Sequence, residues 1–154
     1  MLPERKRLPH VIPSWVEEGS AYFITICTGR RGHNQLCRPD VAAGILAAWA
    51  FYQNRGDVWI YLLVLMPDHL HAIMSFNRDQ GMQKAIREFK KFTARALGIS
   101  WQRDFFDHRL RDDKCRVEKA HYIRMNPVRA GLCKTPGDWP YVWDNAGSGG
   151  DESG

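Results

Sequence analysis

The chain has 154 residues, of which 44% are hydrophobic, 12% aromatic and 25% charged. This composition indicates one folded globular domain and excludes a disordered chain, and no apolar run approaches the roughly 18 residues of a membrane span. The formal net charge is +5, and the excess lies in residues 77 to 143, which carry 15 Lys or Arg against eight Asp or Glu. Such a segment is typical of a surface that faces a polyanion, although a solvated lysine-rich helix produces the same count.

The two ends of the chain differ in composition from its middle. Residues 1 to 20 contain three prolines and mixed charges and predict an extended arm. Residues 21 to 143 predict the folded domain, and residues 144 to 154, rich in glycine and acidic groups, predict a disordered tail. The N-terminus lacks the apolar stretch of a secretory signal, so we expect a cytoplasmic protein that does not bind a membrane. The four cysteines form no C-x-x-C pair, so we expect free thiols.

The first half of the domain predicts one strand and one helix. Residues 21 to 28 are rich in β-branched and aromatic residues and predict the first strand. A helix follows, with Asp40 as its cap and Gly56 as its stop. The apolar residues that predict the buried face of this helix are Val41, Ile45, Trp49 and Tyr52.

A hairpin is predicted next. Residues 57 to 66 are almost continuously apolar, which is the pattern of a central strand buried on both faces. Pro67 and Asp68 predict a tight turn into a second strand at residues 69 to 76.

The second half predicts a helix at residues 81 to 97, a short strand around residues 105 to 110, and a last helix from Asp112 or Asp113 to Asn126. Met82, Ile86, Phe89 and Thr93 predict the buried face of the first of these helices. The resulting order, β-α-β-β-α-β-α, predicts an α+β protein: a ferredoxin-like βαββαβ fold with an antiparallel sheet and one extra C-terminal helix.

His69 and His71 are the first candidates for chemistry. Residues i and i+2 of a strand point to one face, so the two imidazoles project side by side, a geometry that suits two ligands of one divalent metal. Two half-exposed strand histidines without a ligand fit the same spacing.

Tyr122 and Asn126 are the second candidates. They lie one helical turn apart and off the apolar stripe of the last helix. A phenol is a poor nucleophile at neutral pH and needs a metal-polarised electrophile or a positioned base, and the Asn126 carboxamide could complete a metal set with the two histidines. A packing tyrosine and a helix-ending asparagine are equally compatible with the spacing.

Three strings carry a family resemblance: Val64-Leu-Met-Pro-Asp-His-Leu-His71, Trp101-Gln-Arg-Asp-Phe-Phe-Asp-His-Arg-Leu-Arg111 and Tyr122-Ile-Arg-Met-Asn-Pro-Val-Arg-Ala-Gly-Leu132. Together they resemble the IS200-like HUH single-tyrosine transposases, and among these the REP-associated tyrosine transposases. The resemblance extends over about residues 8 to 141.

The resemblance implies a role for each candidate. His69 and His71 would hold a divalent metal, Mg²⁺ or Mn²⁺, and Asn126 would be its third ligand. Tyr122 would attack a phosphate of single-stranded DNA, giving a 5′-phosphotyrosine and a free 3′-hydroxyl. The substrate would be a palindromic hairpin of a REP element with a single-stranded flank, and the protein would act as a monomer or as a swapped homodimer.

The basic residues would then contact DNA. The candidates are Lys84, Arg87, Lys91 and Arg95 on the second helix, Arg103, Arg109 and Arg111 around the fourth strand, and Arg5 and Arg7 in the arm. Trp101, Phe105 and Phe106 are candidates for stacking on unpaired bases, with core packing as the alternative.

A different class of function remains open at this point: a catalytically idle nucleic-acid-binding module of the same fold, either a domesticated regulator or an RRM-like RNA binder. An RNA-recognition module would carry aromatic signatures on its central strands, and residues 72 to 76 lack them.

Overall fold

The computed structural model describes residues 13 to 145 of the chain. Its elements, in chain order, are α1 (Ser14–Glu18), β1 (Ala21–Cys27), α2 (Pro39–Arg55), β2 (Val58–Met66), β3 (His69–Phe76), α3 (Met82–Leu97), β4 (Phe106–Leu110), α4 (Asp113–Arg124), α5 (Asn126–Arg129) and β5 (Val142–Asp144). One turn of 3-10 helix, Pro136–Asp138, precedes β5.

The five strands form one antiparallel sheet in the order β4-β1-β3-β2-β5. The first four strands have the ferredoxin-like order, so the predicted α+β fold is confirmed, including the hairpin between β2 and β3. The fifth strand was not predicted. Its three residues pair with the middle of β2, and so short a segment has too little alternation to be distinguished from a loop.

Helices α2 and α3 cover one face of the sheet, which we call the α2/α3 face. Their predicted apolar stripes are buried there, except that Met82 is only partly covered. Trp49 of α2 and Phe89 of α3 stack at the centre of this layer, with ring centroids 4.1 Å apart. Burial of large apolar side chains from both helices is what holds this layer on the sheet.

Helix α4 packs on the opposite face, which we call the α4 face. Ala120 and Ile123 are its buried residues, and they join an apolar cluster that includes Phe23 of β1 and Ile73 of β3. Asp112 caps the helix as predicted, because its carboxylate accepts from the Cys115 N–H at 2.8 Å.

The sequence predicts one continuous last helix that ends at Asn126, and the structure differs. α4 ends at Arg124, and α5 begins at Asn126. Pro127 has no N–H to donate to the carbonyl four residues earlier, and its ring crowds that turn, which explains the break. Tyr122 and Asn126 therefore lie on two successive short helices.

The N-terminal part also departs from the prediction. Ser14–Glu18 forms a short helix inside the segment expected to be an extended arm, with Pro13 at its start. Residues 1 to 12 lie outside the described residues. Helix α2 begins at Pro39, with Arg38 at the cap position, so Asp40 lies in the first turn rather than at the cap.

The folded domain extends slightly further than predicted. Asp144, assigned to the tail from the sequence, accepts two hydrogen bonds from the Arg124 guanidinium, at 2.6 Å from Nε and 2.9 Å from Nη2. The Asn145 side chain donates to the carbonyl of Ile60 at 3.2 Å. These contacts fix the end of α4 and the last strand to each other and to β2; residues 146 to 154 lie outside the described residues.

The four cysteines are free thiols, as predicted. Within residues 13 to 145, no helix has the length and apolar character needed to cross a membrane.

Candidate active site

His69 and His71 lie side by side on β3 and face the same side as Ile73, the α4 face. Their ring centroids are 4.7 Å apart, with the rings nearly perpendicular. The Nδ1 atom makes the hydrogen bond in each ring, to Asp68 Oδ1 at 2.7 Å for His69 and to Thr25 Oγ1 at 2.9 Å for His71. The Nε2 atom of each ring is therefore the one left for a ligand.

Asp68, in the turn between β2 and β3, fixes the orientation of His69. Its carboxylate also accepts from Arg31 Nε at 3.0 Å and from the Gly32 N–H at 2.8 Å. Burial raises the pKa of Asp68, but these hydrogen bonds and the Arg31 charge outweigh it and hold the pKa well below its usual range. An ionised carboxylate only accepts, so the proton of neutral His69 lies on Nδ1 and the lone pair on Nε2.

His71 is the more buried ring of the pair, 8% exposed. Burial, with the neighbouring charges of His69, Lys119 and Arg129, lowers the pKa of His71 to about 3. The ring is therefore neutral at pH 7, which is the form that binds a metal.

Tyr122 lies in the last turn of α4 and is 47% exposed. Arg129 of α5 lies over its ring, with Cζ 4.4 Å from the centroid, and its Nη2 donates to the Tyr122 carbonyl at 2.6 Å. Lys119, one turn earlier in α4, has its Nζ 5.0 Å from the same centroid. The phenol is thus accessible to a large substrate and has two cations close to its ring.

Lys119 also links Tyr122 to the histidine pair. Its Nζ lies 4.6 Å from the centroid of the Phe23 ring, and that ring lies 5.3 Å from the ring of His71. Tyr122, Lys119, Phe23 and His71 therefore form a continuous series of contacts on the α4 face. Residues far apart in the sequence meet here within a single chain.

Asn126 is partly buried at the start of α5. Among the described residues, no hydrogen bond joins its side chain to either histidine. Nor do any three His, Cys, Asp or Glu side chains in residues 13 to 145 form a group that could hold a metal. The two imidazoles provide a pair of nitrogen donors, and any further ligand must come from an amide, water or substrate oxygen.

The predicted DNA-binding residues of α3 lie away from this site. These residues are Lys84, Arg87, Lys91 and Arg95, and all four are exposed. Because α3 packs on the α2/α3 face, they lie on the side of the sheet opposite the histidines and Tyr122. Arg109 pairs with Tyr22 across the strands and points to that same face. Arg111 is exposed just after β4, and Arg5 and Arg7 lie outside the described residues.

Arg103 contributes to a shallow groove between α3 and the segment before β4. The groove has a volume of about 230 Å³ and is lined by Gln83, Ile86, Arg87, Lys90, Arg103 and Phe105. The Lys90 ammonium donates to the Arg103 carbonyl at 2.8 Å and ties the two walls together. Three basic side chains thus converge on a concave surface beside the β4 edge.

The three aromatic candidates for base stacking differ in position and exposure. Trp101 belongs to the core: its Nε1 donates to Thr93 at 2.9 Å, and its ring contacts Phe89. Phe105 is half-buried in the groove wall. Phe106 is 56% exposed and lies on the α4 face, where its ring packs steeply inclined to the Phe23 ring, with centroids 5.9 Å apart. Only Phe106 of the three is both exposed and close to the histidines.

Sequence reasoning missed four residues of the site. Asp68 was interpreted only as a turn residue, although a carboxylate directly before a histidine is a recognisable partner for it. Lys119 lies three residues before Tyr122, at helical spacing, so its proximity could have been found. Thr25 and Arg129 had no local signal, because the first depends on strand register and the second on how α5 follows Pro127.

A family model described as "Transposase IS200 like" matches residues 18–111 of the chain. A Haemophilus influenzae protein assigned as a REP-associated tyrosine transposase is 32% identical over 142 residues, covering 80% of this chain and 79% of that protein. The REP-associated tyrosine transposase of Escherichia coli K12 is 35% identical over 81 residues, covering 51% of this chain and 49% of that protein.

Solved structures agree with these sequence matches. The structure of a REP-associated tyrosine transposase bound to a REP hairpin superposes with a TM-score of 0.72 and 26% identity, covering 92% of this chain and 82% of that chain. A Deinococcus radiodurans protein assigned as a transposase superposes with a TM-score of 0.52 over 77% of this chain and 95% of that chain. At 16% identity, this second likeness shows the fold alone.

Proposed function

The chain belongs to the family of IS200-like transposases, and from that premise we propose that it cuts and rejoins single-stranded DNA with Tyr122 as the nucleophile. The observation that carries the proposal is an accessible phenol with two cations close to its ring, linked through Lys119 and Phe23 to a histidine pair whose rings are oriented by hydrogen bonds. Phosphoryl transfer needs a nucleophile, a neutralised phosphate and fixed geometry, and these residues supply each of them.

In the proposed reaction the Tyr122 hydroxyl oxygen attacks a phosphorus of the DNA backbone. The bond to the 3′-oxygen breaks, which leaves a 5′-phosphotyrosine and a free 3′-hydroxyl. Attack by a 3′-hydroxyl on the phosphotyrosine reverses the step and joins strands. No nucleotide cofactor is needed, because the phosphotyrosine retains the energy of the phosphodiester bond.

A divalent metal, Mg²⁺ or Mn²⁺, would be held by the Nε2 atoms of His69 and His71, with the Asn126 amide oxygen as the proposed third ligand. When bound, the ion would supply Lewis-acid polarisation of the phosphate. Asp68 and Thr25 support this assignment, since they occupy both Nδ1 atoms and leave Nε2 as the ring nitrogen for a ligand in each histidine.

The proposed substrate is a palindromic hairpin of a REP element with a short single-stranded flank. A relative of the same fold was solved bound to a REP hairpin. We assign the flank to the α4 face, where Phe106 can stack on a base, and the duplex backbone to the basic groove. DNA that reaches both must pass around β4, which is the edge strand of the sheet.

A single copy of the chain is sufficient in this proposal. Tyr122 and His71 are linked by contacts within one chain, so a monomer contains both the nucleophile and the histidine pair. Exchange of α4 between two copies would rebuild the same site in a swapped dimer. The protein would act in the cytoplasm, where its DNA substrate lies.

The test is covalent capture. Labelled hairpin DNA is incubated with the protein and Mn²⁺ or Mg²⁺, and a denaturing gel resolves any protein–DNA adduct. Wild type and the matched control Tyr61→Phe should form the adduct, whereas Tyr122→Phe should bind the hairpin without forming it. Adduct formation by Tyr122→Phe at the wild-type rate would overturn the assignment.

Chelation tests the metal proposal in the same assay. Excess chelator, or His69→Ala, should stop adduct formation while the fold remains intact by circular dichroism. A full rate in chelator would refute metal dependence. Hairpin binding with no adduct from wild type under any metal would instead favour an idle DNA-binding module.

A further inference from the structure

We propose that Lys119 and Arg129 form a phosphodiester-binding clamp beside Tyr122, which holds the phosphate that the tyrosine attacks. The proposal rests on the proposed function, because it assigns the position of the DNA within the same site. It adds a phosphate-binding role for two residues: Arg129 lies in the third motif string without an assigned role there, and both residues lie beyond the stretch that the family model matches.

The position of the two cations is the first argument. The Arg129 guanidinium and the Lys119 ammonium both lie within about 5 Å of the Tyr122 ring centroid, at 4.4 and 5.0 Å. Lys119 Nζ also lies 4.6 Å from the centroid of the Phe23 ring, and that ring lies 5.3 Å from the ring of His71. Two cations therefore lie close to the Tyr122 ring, and Lys119 is the one on the side of the histidine pair.

The charge balance is the second argument. Among residues 13 to 145, neither Lys119 nor Arg129 forms an ion pair with a carboxylate. Aromatic rings and one backbone carbonyl are their neighbours instead. Two positive charges beside one ring, neither of them offset by a carboxylate among these residues, favour a bound anion, and a phosphodiester would supply that counter-charge.

The two cations have different tasks. Arg129 is a positioning residue as well as a phosphate ligand, since it stacks on the Tyr122 ring and donates to the Tyr122 carbonyl at 2.6 Å, while its other N–H groups remain for phosphate oxygens. Lys119 offers a compact charge on the histidine side of the ring.

In the step itself, a bond forms between Tyr122 Oη and phosphorus as the bond to the 3′-oxygen breaks. The phenolic proton leaves to water, and the 3′-oxygen takes up a proton from water. Negative charge grows on the phosphoryl oxygens in the transition state, and the clamp offsets it.

Binding without chemistry tests the clamp first. In a Tyr122→Phe background, which keeps the ring, the affinity for labelled hairpin DNA with a single-stranded flank is measured by fluorescence anisotropy over a range of salt concentrations. Log affinity falls as log salt rises, and loss of one phosphate contact makes this negative slope shallower by about 0.7 to 0.9. Lys119→Ala and Arg129→Ala should each show this decrease. The control Lys114→Ala removes the same charge from the exposed first turn of α4 and should show none.

Cleavage tests the role in catalysis. In the protein with Tyr122 intact, Lys119→Ala should slow single-turnover adduct formation by about 100-fold, and Lys119→Arg should recover most of that loss. Arg129→Lys should recover less than Lys119→Arg, because an ammonium lacks the planar fork that lets a guanidinium lie flat on the ring while its N–H donors point in fixed directions.

The outcomes separate this proposal from the proposed function. If wild type forms no adduct, the proposed function fails, and the salt slopes still decide whether the clamp holds a phosphate. Unchanged slopes for Lys119→Ala and Arg129→Ala, or an equal decrease for Lys114→Ala, would overturn the clamp even if cleavage proceeds. Thermal melts confirm that each variant is folded before it is compared.

Discussion

Replacement of Ile123 by Ala should weaken the attachment of the helix that carries Tyr122. Ile123 is fully buried, and Ala120 is the other residue through which α4 is buried on the sheet. The substitution removes three carbon groups at about 0.8 kcal/mol each, and the cavity that remains adds to this transfer cost. We expect about 3 kcal/mol of destabilisation, a large part of the roughly 5 to 15 kcal/mol that stabilises a domain.

Urea unfolding followed by circular dichroism measures this loss, and amide hydrogen exchange shows whether α4 opens before the sheet. The matched control is Val117→Ala on the same helix, where the side chain is 65% exposed and the change should stay within about 0.5 kcal/mol. Adduct formation by Ile123→Ala should fall by more than the folded fraction does, since Tyr122 moves with the helix. If Ile123→Ala has the same free energy of unfolding and the same amide exchange rates in α4 as Val117→Ala, burial of Ile123 does not hold the helix on the sheet.

Two further predictions concern the surroundings of the site. Asp68→Asn should raise the Mn²⁺ concentration needed for half-maximal adduct formation by about 10- to 100-fold, because a neutral amide holds the Nδ1 proton of His69 less strongly; an unchanged metal requirement would contradict this. Burial raises the pKa of the Cys37 thiol to about 12, so at pH 8 iodoacetamide should modify Cys37 far more slowly in native protein than in urea, as measured by peptide mass spectrometry. Since the unfolded thiol ionises near pH 9, Cys37 should also reduce stability as the pH rises from 9 toward 12, and Cys37→Ala should remove that part of the alkaline loss.

Local patterns were sufficient for most of the fold. The apolar stripe of α2, the continuous apolar run of β2 and the Pro67-Asp68 turn each encode their element within a few residues, and the observed sheet follows from their order. Where the pattern was too short or was interrupted, prediction was wrong. The strand β5 has only three residues, and the last helix ends at Arg124 rather than at the predicted Asn126, where a separate short helix containing Pro127 begins.

The basic residues of α3 also show which features a local pattern predicts and which it does not. Helical spacing predicted that Lys84, Arg87, Lys91 and Arg95 share one exposed stripe, and they do. It contained no information on which side of the sheet α3 packs. The structure places that stripe opposite Tyr122, so these residues can contact DNA only at a distance from the chemistry.

The sequence by itself singled out the histidine pair and the tyrosine as candidates, because strand alternation and the motif strings are local properties of the chain. It also determined the α+β class and the excess of positive charge in the second half. Tertiary structure alone decided that Tyr122 meets His71 through Lys119 and Phe23, and that Asp68 and Thr25 orient the two imidazoles. Those contacts depend on strand register and on the packing of α4 against one face of the sheet, and pairing between distant segments leaves no periodic trace in the sequence.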